Sequence, residues 1–227
     1  HPEKGFIDPE VFIPLAEETG LIEPLGDFVM EEACRQLMEW DASGIVCPYV
    51  SVNLSPRQFN QPNLCRRVAD ILQSTGLPAE RLELEITERI LFEELAGAER
   101  KLAELAETGV KMAVDDFGTG YSSLAYLKRF PLNKLKIDKS FVRDLPQSTV
   151  DGEIVRAVIA VGRALNLEIL AEGVETEAQM HFLRANGCRL GQGYLWSRPL
   201  PALRFRAFAR AMSEGTDDHS QGSGGPL

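Results

Sequence analysis

The sequence predicts an α/β protein, a modified (β/α)8 barrel of the TIM type with six of its eight strands visible. Three observations carry that expectation. Short apolar strands alternate with longer helical stretches at about 25 to 35 residues per repeat, the spacing of parallel βαβ units. No glycine-rich phosphate loop follows an early strand, which disfavours an open doubly wound sheet. The strands also end in polar residues at one relative position, as the mouth of a barrel requires.

Taken in order, Asp8 before Pro9 is a helix N-cap followed by proline at the first helical position, opening a helix over Asp8 to Gly20. A second helical pattern runs from Pro24 to about Asp41. Alternation then begins with strand Tyr49 to Leu54, helix Asn63 to Thr75, strand Leu82 to Ile86 and helix Leu95 to Thr108. It continues with strand Lys111 to Asp115, helix Ser122 to Phe130, strand Lys134 to Ile137, helix Gly152 to Leu165, strand Glu168 to Ala171 and helix Thr176 to Ala185. A short strand near Leu190 precedes a last helix from Pro201 to about Met212. These elements fill one domain over residues 1–212, and the remainder, 213–227, rich in Gly, Ser and Asp from Gly215 onward, reads as a disordered tail. The chain opens on a loop without an initiator methionine and reads as a fragment of a longer protein.

With 44% hydrophobic and 26% charged residues over 227 positions, the chain can bury one large core. A formal charge of −10 argues against binding a nucleic-acid polymer, which takes a basic face, so an anionic ligand would need bound cations. Cys34, Cys47, Cys65 and Cys188 are widely spaced, and two of the three histidines lie near the chain ends, so a zinc site is not expected. Without an apolar run of membrane-spanning length or a signal peptide, the reading is a reducing, cytoplasmic location, with a tether elsewhere in the full-length protein left open.

Side chains alternate faces along a strand. In Leu82-Glu83-Leu84-Glu85-Ile86 the apolar residues share the face that meets helices, and both glutamates point inward. The same parity sets Ser51 and Asn53 against Val52 and Leu54, Ala113 and Asp115 against Met112 and Val114, Lys136 and Asp138 against Leu135 and Ile137, and Leu170 and Glu172 against Ile169 and Ala171. Asn53, Glu85, Asp115, Asp138 and Glu172 therefore converge on the C-terminal mouth, with Asp116 adjacent. Carboxylates so crowded repel one another and take up protons unless cations hold them apart. Oxygen donors without imidazole or thiolate favour Mg²⁺ or Mn²⁺. Asp115 and Asp116 suit two ions, about 3.5–4 Å apart in two-metal phosphoesterase sites, and Lys136 adds a positive donor near the attacking water or the phosphate.

Val52-Asn53-Leu54-Ser55, Glu85-Ile86-Thr87-Glu88, the ten residues from Asp115 to Leu124 (DDFGTGYSSL), Lys136-Ile137-Asp138, Glu172-Gly173-Val174-Glu175, Gln192-Gly193-Tyr194 and Arg198-Pro199-Leu200-Pro201 form an ordered series. It resembles the EAL family of cyclic di-GMP phosphodiesterases over about Phe6 to Ala211. The resemblance implies metal-dependent hydrolysis of cyclic di-GMP to linear pGpG with Mg²⁺ or Mn²⁺, Ca²⁺ being inhibitory. It makes Asn53, Glu85, Asp115 and Asp116 metal ligands, Glu172 a further metal or water ligand, and Lys136 the group that orients the water. Gln192, Arg198, Pro199 and Asp138 fall to the substrate side, and Glu88 and Glu175 hold the loop after Asp116, in which Gly118 and Gly120 permit the turns. It also implies a homodimer coupled through that loop, and regulatory or cyclase domains elsewhere in the full-length protein. The family's Glu-Ala-Leu segment, with one further metal ligand, would precede this chain. Arg89 and Arg189 depart from the residues usual at their positions and touch no implied ligand.

Blander readings stand beside these. A strand glutamate is commonly solvated, Asp115-Asp116 could cap a helix, Lys136 could belong to an exposed basic stretch with Lys134 and Lys139, and Glu172 and Glu175 could cap the helix after Thr176. Two other functions compete: a non-catalytic cyclic di-GMP receptor, and a metal-dependent lyase or isomerase with Lys136 as base.

Overall fold

The computed structural model describes residues 3–5, 7–93, 95–120 and 124–217. Its centre is one parallel sheet of β1 (Val50–Asn53), β2 (Leu82–Thr87), β3 (Lys111–Phe117), β4 (Lys134–Ile137), β5 (Glu168–Ala171) and β6 (Leu190–Gly191), paired in chain order. Among the described residues the sheet stays open, with β1 and β6 at its edges. This is the expected six-stranded part of a barrel, and crossovers through helices make every pairing parallel.

The helices follow their capping signals. In α1 (Pro9–Thr19) the Asp8 side chain accepts the Glu10 N–H at 3.0 Å, and Gly20 closes the helix at φ 80°. Helix α2 (Ile22–Ala42) packs on β1 and on α4 (Leu64–Thr75). Between them lies α3 (Pro56–Phe59), which periodicity missed because four residues make barely one turn. Its signal was present as a capping box, Ser55 and Gln58 satisfying each other's backbone N–H. Two more short helices went unread for the same reason: α5 (Glu88–Glu93), continuous with β2, and α8 (Lys139–Val142), which starts on Asp138. The predicted helix from Ser122 is α7 (Leu124–Leu127), and residues 121–123 lie outside the described set. The longer helices α6 (Leu95–Glu107), α9 (Thr149–Ala164) and α10 (Glu177–Ala185) begin and end close to expectation. The last, α11 (Ala202–Asp217), runs past residue 212, where the tail was expected to start, and 218–227 fall outside the described residues.

Parity sorts the sheet as the sequence requires. Leu82, Leu84, Ile86, Met112, Val114, Leu135 and Ile137 are wholly buried on the helix-covered side. The opposite face carries Glu83, Glu85, Ala113, Asp115, Lys134 and Lys136, and all of these are buried too. The core therefore fixes the strands from outside, and the inward face is free to carry charge.

The placement of Leu84 gives a stability test. Leu84→Ala empties a site with no solvent exposure and should cost roughly 2–5 kcal/mol, whereas Leu15→Ala, on a side chain 60% exposed, should stay within about 0.5 kcal/mol of the parent. Urea unfolding of the two variants measures both, and equal losses would contradict this core.

Candidate active site

The C-terminal ends of four neighbouring strands bring one lysine among the carboxylates. Glu85 leaves the inner face of β2, Asp115 that of β3 and Lys136 that of β4. Glu172 follows β5 and prolongs its ladder, its N–H donating to the Ile137 carbonyl at 3.1 Å. The Lys136 Nζ lies 2.6 Å from Glu85 Oε2, 3.0 Å from Asp115 Oδ1 and 2.8 Å from Glu172 Oε1. At 3% exposure this is a buried cluster and not part of a solvated basic stretch.

Strict alternation would turn Asp116 away from Asp115. The β3–β4 register instead shifts between Val114 and Phe117, and Asp116 adopts φ 55°, a left-handed conformation that aspartate tolerates better than most residues. The bulge turns its carboxylate back to the mouth. Oxygens of Asp115, Asp116 and Glu172 then lie within 4.8 Å of one another, the only such group of potential ligand atoms among the described residues. Asp138, just past β4, caps α8 by accepting the Ser140 N–H at 3.0 Å and the Ser140 hydroxyl, and it also faces Asp116.

The electrostatics follow from burial. Desolvation pushes the Asp116 carboxyl above the ordinary aspartate range, and the charges of Asp115 and Asp138 push it further. Desolvation also raises Glu85 and Glu172, and Lys136 opposes the rise in both. For Lys136 burial favours the neutral amine, but Glu85, Asp115 and Glu172 together outweigh it and hold the ammonium above the usual lysine value. Carboxylates that resist ionising, offering only hard oxygen donors, fit a divalent cation such as Mg²⁺ or Mn²⁺.

The EAL domain sequence model matches residues 1–199. The chain belongs to the EAL domain family. It is 46% identical over 211 residues to the cyclic di-GMP phosphodiesterase NbdA of Pseudomonas aeruginosa, covering 93% of this chain and 27% of that protein. The solved PaMucR phosphodiesterase in complex with c-di-GMP superposes with a TM-score of 0.87 at 46% identity, over 90% of this chain and 83% of that one. A manganese/cy-diGMP complex of Klebsiella pneumoniae BlrP1 matches at 0.75 and 31% identity, over 86% and 49%. The chain spans about a quarter to a third of the length of the curated relatives it matches.

The other residues singled out in the sequence stand around this EAL centre. Asn53 ends β1 as the register partner of Glu85 and is exposed at the rim. Glu88, at the start of α5, is buried and accepts the Gly118 N–H at 2.9 Å; a Cβ on Gly120 would lie 2.9 Å from its Oε1, so glycine lets the loop rest on that carboxylate. Glu175, expected to hold the same loop, is exposed; its N–H donates to Gln179 Oε1 at 2.7 Å, and it lines a cavity with Lys139, Arg143 and Gln179. Gln192, Arg198 and Pro199 line a neighbouring cavity of about 350 Å³ with Tyr194, Phe205 and Phe208, the Arg198 guanidinium 4.4 Å from the centre of the Tyr194 ring.

Sequence reasoning missed what joins these two parts. Val174 donates to the Gln192 carbonyl at 3.0 Å, Leu195 donates to that of Val174 at 3.0 Å, and Gly193 packs against the Val174 backbone between them. A Cβ at Gly193 would meet the Val174 carbonyl oxygen at 2.1 Å. Sequence reading also missed the Asp116 bulge and the full burial of Lys134. Inward parity with Lys136 was the available signal for Lys134.

Two measurements test this geometry. The raised pKa of Asp116 means the folded, metal-free protein binds its proton more tightly than the unfolded chain. Stability is therefore lost as pH climbs from the ordinary value of 3.8 through the raised one. Asp116→Asn, which keeps a residue tolerant of φ 55°, should melt above the parent near neutral pH, with the gap narrowing below pH 3.8; a gap independent of pH would contradict the cluster. Gly193→Ala should destabilise by roughly 1–3 kcal/mol in urea unfolding, because the backbone of Val174 cannot yield cheaply.

Proposed function

We propose that this domain hydrolyses cyclic di-GMP to linear pGpG with Mg²⁺ or Mn²⁺ in a two-metal site, acting in bacterial second-messenger signalling. The observation that carries the reading is the buried Lys136 among Glu85, Asp115 and Glu172, with Asp116 turned back into the same mouth, in a chain of the EAL family. Relatives named as cyclic di-GMP phosphodiesterases support the substrate.

In this reading Asn53, Glu85, Asp115, Asp116 and Glu172 hold the ions, which when bound supply Lewis acidity toward phosphoryl oxygen and water. Lys136, kept charged by its carboxylate neighbours, donates a hydrogen bond that orients the attacking water. The water oxygen joins phosphorus, one ribose oxygen leaves, and the water's proton ends on that oxygen, so one phosphodiester opens and the other stays intact. Arg198, stacked on Tyr194, and Gln192 and Pro199 beside it provide a cationic, partly apolar wall for a guanine nucleotide. Asp138, next to Asp116, is assigned to the substrate side in this reading. Glu88 holds the loop of Gly118 and Gly120, and Glu175 acts from the rim. A cytoplasmic location and a homodimer coupled through that loop complete the proposal; no helix among the described residues is long and apolar enough to cross a membrane.

Chromatography of cyclic di-GMP incubated with the full-length protein and Mn²⁺ tests the reading. It should yield pGpG, with Lys136→Met lowering kcat roughly 10²- to 10⁴-fold, Asp115→Ala abolishing turnover, and chelation or Ca²⁺ suppressing it. Nucleotide binding without product in any metal would favour a receptor instead.

A further inference from the structure

The inward face holds a second charged pair that the proposed chemistry does not use. Lys134 Nζ lies 2.9 and 2.6 Å from the two carboxylate oxygens of Glu83. Ser51 donates its hydroxyl to Glu83 Oε1 at 2.8 Å, and the ammonium stands 4.0 Å from the centre of the Tyr49 ring. The exposed Glu168 approaches to 4.0 Å. Side-chain exposures of 1% for Lys134 and 5% for Glu83 put the pair out of reach of a ligand at the mouth.

A barrel interior at this depth is ordinarily filled by branched apolar side chains, and an apolar pair of similar volume would escape the desolvation of two charges. The position of the pair shows what the charges accomplish. Glu83 stands two residues before Glu85 on β2, and Lys134 two before Lys136 on β4. Both pairs therefore run between the same two strands and pass over β3, where the inward residue is the fully buried Ala113. Ala113 is the register partner of both Glu85 and Lys134, and its side chain ends at Cβ, which leaves room for the long side chains to meet.

The lower pair also removes two competitors from the upper one. Lys134 is engaged by Glu83 and Tyr49, and Glu83 is engaged by Lys134 and Ser51. Lys136 is left to join Glu85, Asp115 and Glu172. We infer that Glu83 and Lys134 are a positioning pair that locks β2 and β4 in register beneath the metal centre and so sets where Glu85 and Lys136 stand. The inference rests on the phosphodiesterase reading and adds two residues that touch neither substrate nor metal.

The test compares the full-length parent with the apolar double variant Glu83→Leu/Lys134→Met, which leaves no buried charge unpaired, and with Lys134→Met alone. Melting temperature monitors folding, Mn²⁺ affinity is read by calorimetry, and kcat and KM are read with cyclic di-GMP. The double variant should melt close to the parent yet bind Mn²⁺ or turn over roughly 10- to 100-fold less well, the loss common when a group supporting metal ligands is removed. KM should change less than twofold. A folded double variant whose Mn²⁺ affinity and kcat both stay within twofold of the parent would overturn the inference and leave the pair as filler. A double variant that fails to fold while Lys134→Met folds with undiminished Mn²⁺ affinity would overturn it equally. A parent that neither binds Mn²⁺ nor forms pGpG would sink the functional reading and this inference with it, whereas an active parent beside an unchanged variant sinks the inference alone.

Discussion

The contact between the Lys136 ammonium and the carboxylates of Glu85, Asp115 and Glu172 is the constraint around which the inward face is built. Placing three acids at the ends of β2, β3 and β5 is unfavourable by itself, since burial alone already pushes Glu85 and Glu172 toward protonation. One buried cation bound to all three makes the arrangement sustainable, and the acids in turn keep that cation charged against its own desolvation. Neither side is stable in this position without the other. The wholly buried Leu84, Met112, Val114 and Leu135 on the opposite face do the ordinary work of cohesion, and so the inward face can carry a charge arrangement that contributes little to folding.

Strand parity made most of this legible. Glu83, Glu85, Asp115, Lys134 and Lys136 all face inward because side chains alternate and the outward set is uniformly apolar. Parity failed at Asp116, because a β-bulge breaks the period of two, and nothing in Val114-Asp115-Asp116-Phe117 announces where the slip falls. It was also silent on depth. Lys134 and Lys136 read alike in sequence, yet one pairs with Glu83 below the site and the other with the acids of the site itself. The helix pattern was reliable where a face repeats over several turns and blind to the four-residue α3 and α8, whose caps were the only clue. The exposure of Glu175 follows from a local demand: its neighbours Thr176 and Gln179 form a capping box that fixes the backbone there.

Backbone contacts between loops join the separate parts of the mouth. Glu88 on β2's extension holds Gly118, three residues past Asp115, while Val174, two past Glu172, holds Gln192 and Leu195 beside the cavity of Arg198. At Gly193 glycine is needed because a Cβ would strike the Val174 peptide, and at Gly120 it lets the loop lie against the Glu88 carboxylate. Each of these loop contacts thus lies within three residues of a carboxylate of the cluster.

Charge gives these features a common logic under the proposed function. The chain carries a formal charge of −10, and its mouth concentrates carboxylates whose proton affinity is already raised. A phosphodiester approaching this mouth meets repulsion that Lys136 cannot relieve, because its ammonium is already engaged by three acids. In the proposed function Asp115, Asp116 and Glu172 would hold divalent ions that offset this charge, and Lys136 would then be available to donate to a water or a phosphoryl oxygen. Under that function, productive binding of the anionic diester would therefore depend on the cation that these acids hold.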